Sequence, residues 1–170
     1  YNNYTYMYYT NSLAKTTLER WYQTNIGSKA DLAKNIATGA YYCEQAKVKY
    51  SDSIASGSAV MTTYNKYTPD FKCSSDGNGK GVVNASVGLL SYDEVVYAGG
   101  YYNQNNNNYY LYILYMTWWT MSPAGISGSD LLEWGLGPSS NIRLNVVDVL
   151  NVVRPVLNLT ADTQISDGDG

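Results

Sequence analysis

The runs W-W-T-M-S-P, Trp118 to Pro123, and V-R-P-V-L-N-L, Val153 to Leu159, bracket the stretch whose reading decides the fold. Both are aromatic or apolar and read as core strands. Between Asp130 and Val153, a half-buried strand calls for alternation and an amphipathic helix for a three-to-four spacing. Leu131, Leu132, Leu136, Ile142, Leu144, Val146, Val147, Val149, Leu150 and Val152 follow neither, and Gly135, Gly137 and Pro138 interrupt them. Loop backbone stays wet, so ordinary loops carry Ser, Asn, Asp and Gly. This much Leu and Val in a broken segment reads as surface chosen for contact and not as core.

The same segment has a second property. From Gly135 to Val153 there is no Lys, Glu, Gln, Met or Trp. Every residue present is reached by randomising the first two bases of an asparagine codon.

Together with V-G-L-L-S-Y-D-E-V-V-Y-A-G-G, Val87 to Gly100, the two bracketing runs resemble the C-type-lectin-like variable proteins of diversity-generating retroelements. These include gut Firmicutes forms fused to pilin-like or cell-surface segments. The resemblance covers most of the chain. It implies an α+β, C-type-lectin-like fold with N-terminal helices beside a small twisted mixed or antiparallel sheet. It also implies a ligand-binding surface, over about 112–152, rewritten at the adenines of asparagine codons. Ile142, Asn145, Val147 and Val153 match the family's scaffold, and Arg154 its scaffold arginine. Gly135, Gly137, Pro138, Arg143, Leu144, Val146, Asp148, Val149, Leu150 and Val152 stand where the family varies. With Ile113, Leu114, Tyr115, Ile126, Leu131 and Leu132 they make the candidate surface. If Leu144 to Val152 is extended, Leu144, Val146, Asp148, Leu150 and Val152 share one side, leaving Asn145, Val147 and Asn151 toward the scaffold. The formylglycine-generating branch of the fold works through a cysteine pair near the final strands, where this chain has none. The E-P-N, Q-P-D and W-N-D sugar-binding combinations are absent too.

At 170 residues the chain suits one domain spanning 1–170, able to bury about 70% of its unfolded surface. Nineteen Tyr against one Phe supply apolar bulk with a polar tip, which serves half-buried strands and contact surfaces alike. All eight Lys lie at or before Lys80; the remainder has two Arg against eight acids. The half with the candidate surface is therefore acidic, which disfavours a nucleic-acid partner. With no His, neither a nucleophile triad nor a metal or redox site is supported, so no enzyme and no cofactor are expected. Cys43 and Cys73 read as a disulfide contributing about 3 kcal/mol and implying an extracellular or cell-surface location, the alternative being two separate buried thiols. No apolar run is long enough to span a membrane. The chain lacks an initiator Met and a signal peptide, and reads as an excised or mature portion.

Local signals predict a strand over Tyr4–Tyr9 and a helix capped by Asn11 or Ser12 that ends at Gly27, with Leu13, Thr17, Leu18, Trp21 and Tyr22 on one face and Trp21 in the core. A short second helix starts at Ser28 with Asp31 in a capping box and turns Leu32 and Ile36 inward. Val87–Leu90 reads as a strand, and Ser91 with Glu94 as a capping box for a helix stopping at Gly99; Asp93 and Glu94 stabilise that helix. Asp76 to Gly81 resembles a calcium loop but has Lys80 and Val87 where an EF-hand needs ligands. Of Trp118 and Trp119, one points to the core and one outward. Arg154 is expected in an internal ion pair. Two functions follow: a binding module displayed for a protein or cell-surface ligand, or a pilus or surface subunit self-assembling through the same apolar face.

Overall fold

A computed structural model describes residues 12–44, 71–73, 81–102, 105–109, 111–112, 115–127, 130–138 and 141–164. The expected strand at Tyr4–Tyr9, most of the Asp76–Gly81 run, and Ile113 and Leu114 lie outside them. The chain is a mixed α+β fold, with few helices and two small sheets among the described residues.

Helix α1 (Leu13–Tyr22) starts where Ser12 Oγ accepts from Lys15 N at 3.1 Å, satisfying one of the amides a helix start leaves open. Lys15 and Glu19 pair one turn apart. The buried stripe is narrow. Leu18 and Tyr22 are buried, with Ala14 packed beside them, while Trp21 stands 37% exposed on the flank and Leu13 faces water. The expectation of a core Trp21 is thus corrected: the i, i+4 ladder alone meets the core. The chain continues as a π-helical turn, Gln23–Gly27, into α2 (Ala30–Ala33). The Ser28 capping box is not made, because the cap position falls on Lys29 and Ser28 Oγ reaches back to Thr24 O. Leu32 is exposed, and only Ile36 turns inward.

Strand β1 (Tyr41–Cys43) pairs antiparallel with β2 (Val82–Asn84). Cys43 is disulfide-bonded to Cys73, with Cα atoms 5.0 Å apart. Leu18, Tyr22, Ile36, Tyr42, Val87, Leu89 and Met121 form a first core around these strands. Val87 and Leu89 are buried, but the stretch read as a strand makes one bridge, Gly88 to Val156, and no continuous strand. Glycine is required there, because a Cβ would stand 2.2 Å from the Tyr42 ring.

Helix α3 (Tyr92–Tyr97) has the expected capping box: Ser91 Oγ accepts from Glu94 N, and Glu94 Oε2 accepts from Ser91 N at 2.7 Å. It covers a four-stranded sheet in the order β3 (Tyr101–Tyr102), β6 (Asn141–Val146), β5 (Asp130–Leu136), β4 (Trp118–Ser127). All pairings are antiparallel except β3 with β6. Tyr92, Val95, Tyr109, Trp118, Trp134, Leu136 and Ile142 fill the second core between them.

β4 joins the two cores by leaving its ladder. Trp119 pairs with Gly135 and Pro123 with Glu133, so four steps on β4 span two on β5. Within that bulge Met121 N donates to Leu90 O at 2.9 Å and its side chain enters the first core. Thr120 Oγ1 donates to Trp134 O, and Ser122 Oγ accepts from Tyr92 N, so the buried hydroxyls are engaged. Pro123 suits a place where a strand N–H has no ladder role.

The stretch Val153–Leu159 is not a final strand. Three isolated bridges hold its neighbourhood, Trp118 to Val152, Gly88 to Val156 and Ile36 to Leu159, and Pro155 between the first two lacks the N–H a ladder needs. Val153, Val156 and Leu157 pack on the first core, while Leu159 is 46% exposed.

Candidate binding surface

The segment read as a broken loop is a β-hairpin through Leu136, and this is the largest correction to the sequence reading. Hydrogen bonds Gly137 N to Asn141 O and Val147 N to Leu131 O bracket the β5–β6 ladder. Leu132, Trp134 and Leu136 on β5 face Leu144 and Ile142 on β6 within the second core. Glycine and Pro138 mark the hairpin end, not a disruption of it.

The other side carries Leu131, Glu133 and Gly135 opposite Val147, Asn145 and Arg143. Gly135 is buried: a Cβ would meet Asn145 Nδ2 at 2.5 Å and Trp118 O at 3.1 Å, so the Asn145 amide occupies the space a side chain would need. Gly137 is also buried, under the flexible Arg143 guanidinium. Pro138, Leu131 and Val146 are half-buried, and Arg143 is exposed with Nε donating to Asn141 Oδ1. Ile126 pairs with Leu131 through the β4–β5 register. Glu133 was not singled out from sequence. Burial pushes its carboxyl up to about 8, so it is neutral at pH 7, and no local motif signals that.

Extension ends at Val146. Val149 N donates to Val146 O at 3.2 Å, and the turn at Val147–Asp148 breaks the assumed parity. Asp148, Val149 and Leu150 are exposed, Leu150 fully so, and Val152 is 37% exposed. Val147, assigned to the scaffold, is exposed as well, whereas Asn145 and Asn151 do turn inward, each with a buried Nδ2 that has no hydrogen-bond partner among the described residues. Val152 N donates to Thr117 O and Trp119 N to Val152 O, which seats this turn beside the chain entering β4. There Tyr115 is 86% and Met116 53% exposed.

Asp148, Val149, Leu150 and Val152 are thus exposed on a segment that backbone bonds at Val152 set beside the one carrying Tyr115; Val147 and Met116 join the exposed set, and Leu132 and Leu144 turn toward the core. Met116 has a signal only in retrospect, as the apolar residue between Tyr115 and the strand. As expected, Trp118 is buried and Trp119 half-buried. Arg154 makes no ion pair among the described residues: Nη1 donates to Leu111 O at 2.7 Å and the guanidinium lies 5.3 Å from the Trp118 ring. It ties the chain before β4 to the second core, an internal role reached through a carbonyl and a ring face. No group of acids or cysteines that could hold a metal occurs among the described residues, nor does any helix long and apolar enough to cross a membrane. Comparison with protein-family models, curated proteins and solved structures finds no match.

Proposed function

We propose that this protein is a binding module of the retroelement-diversified, C-type-lectin-like kind, a surface adhesin or receptor-binding module. It displays the turn after β6, with the chain entering β4, to a protein or cell-surface ligand. The reading rests on one observation: Leu150 is fully exposed, with exposed Val147, Val149 and Val152 around it and Tyr115 and Met116 on the neighbouring segment. Clustered exposed apolar residues on a small protein mark contact sites. The disulfide fits a secreted or extracellular protein. Sequencing the same locus from many isolates tests the proposal. Substitutions concentrated at Arg143, Asp148, Val149, Leu150 and Val152, at adenine-derived codon positions beside a near-identical template repeat, are the expected outcome; substitutions spread evenly over the chain would end it.

A second reading, a pilus or surface subunit packing on its own copy, draws on the edge of β6. The hairpin hydrogen bonds turn the Asn141 and Val147 backbone groups toward β5, so by alternation those of Leu144 point to the β3 side. β3 reaches only Asn141 and Ile142, and Leu144 meets no strand there among the described residues. Such an edge is a template for another chain. Sedimentation at high concentration separates the two: a display module stays monomeric, a self-assembling subunit does not.

A further inference from the structure

A cleft of about 160 Å³ opens on the first core, between β1, the 71–73 segment and the start of α3. It equals about five liquid-water volumes, room for a small molecule's head group or the end of one side chain. Tyr41, Phe71 and Glu94 are among its lining residues. Tyr41 is 71% and Phe71 53% exposed, so both rings offer surface to an occupant. Phe71 packs edge-on against Tyr97, with centroids 5.4 Å apart, and the Cys43–Cys73 disulfide anchors its segment to β1. Tyr42 forms part of the wall, its hydroxyl donating to Val156 O at 3.0 Å.

Among the described residues Glu94 is the one charged residue in the lining. One carboxylate oxygen accepts from Ser91 N, and among the described residues no cation pairs with Glu94. Burial first, and the nearby Glu94 charge last, raise the Tyr42 phenol above its usual value; the carboxylate's field thus reaches the cleft wall. A carboxylate without a counter-charge repels anions, and flanking ring faces attract cations. We propose that this cleft binds a small alkylammonium group, its charge at Glu94 and its methyl or methylene groups against Tyr41 and Phe71.

The test uses the intact protein and follows backbone amide NMR shifts around Tyr41, Phe71 and Glu94. Choline stands for a free quaternary amine, Nα-acetyl-lysine amide for a lysine side chain on a peptide, and 3,3-dimethylbutan-1-ol for the uncharged isostere of choline. One of the two cations should saturate these shifts about tenfold more tightly than the alcohol, and the tighter cation identifies the source. Glu94→Gln should erase that preference while the protein stays folded, because Gln keeps the capping bond to Ser91 N. Tyr41→Ala, at an exposed ring, should weaken both cations and leave the unfolding temperature unchanged. Equal binding of cation and alcohol, no saturable shift, or unchanged cation affinity in folded Glu94→Gln overturns the proposal.

Discussion

Leu144-Asn145-Val146 and Leu150-Asn151-Val152 are the same tripeptide six residues apart. In the first, Leu144 packs against the second core; in the second, Leu150 stands fully in water. Both asparagines turn inward and bury an amide nitrogen. The difference lies in what runs alongside. The first copy is paired residue for residue with β5, and Leu144 stands directly opposite Trp134. The second has a single bridge, Val152 to Trp118, and the turn at Val147–Asp148 has moved it off the sheet. Identical composition, and the same absence of amphipathic period, therefore yield a wall of the core in one place and a displayed edge in the other.

The strongest way to break the comparison is to remove the floor under the first copy. Trp134 is 1% exposed and packs against Tyr92 with the rings tilted by 55° and centroids 4.9 Å apart, so Trp134→Ala should lose about 3–5 kcal/mol in chemical unfolding. A loss under 1 kcal/mol would show the second core is not built on β5. Next comes Glu133, on the far side of that strand. Its carboxyl is raised from 4.5 to about 8, so between those pH values the native protein holds a proton that the unfolded chain has released. Stability is then complete below pH 4.5 and falls as the pH climbs through 8. Glu133→Gln should flatten this slope and raise stability at pH 9 relative to the parent, read from denaturation midpoints across pH; a slope equal to that of the parent protein would place Glu133 in water.

The two leucines sharpen the contrast directly. Leu144→Ala should cost about 1–2 kcal/mol, short of a fully buried leucine because Leu144 is half-buried. Leu150→Ala should stay within about 0.5 kcal/mol of the parent, because no core contact is lost. Urea unfolding of both, side by side, decides. Equal losses would mean the two copies share one environment, and a large loss at Leu150 alone would reverse their roles.

Much of the local architecture was legible in the sequence. Ser12 and Ser91 as caps, Glu94 completing the box, Gly99 ending α3 and the buried Trp118 beside half-buried Trp119 follow from hydrogen bonds and alternation within a few residues. The Cys43–Cys73 bond also follows from counting thiols in a chain without histidine. What failed shares one feature. Trp21 and Leu32 were turned inward by helical spacing, but spacing does not say how wide a stripe the core will accept. The hairpin was missed because Leu131 and Leu132 are adjacent apolar residues on opposite faces, and the half-buried second face masks alternation. The candidate surface positions were spread across 135–152 because nothing within the segment marks Val146 as the last paired residue.

The chain's order of residues, then, determines where helices start and stop, which thiols can bridge, and that the acidic half carries an apolar segment near its end. Those are properties of neighbours in sequence, set by caps, turns and side-chain chemistry at short range. Only the tertiary structure decided that β5 lies beside β6, that β4 leaves its ladder at Met121 to reach Leu90, and that the leucine of one Leu-Asn-Val packs on the core while that of the next is exposed. Strand pairing joins backbone groups whose own residues carry no label for the partner, so it is decided by which surfaces the whole chain can bury at once.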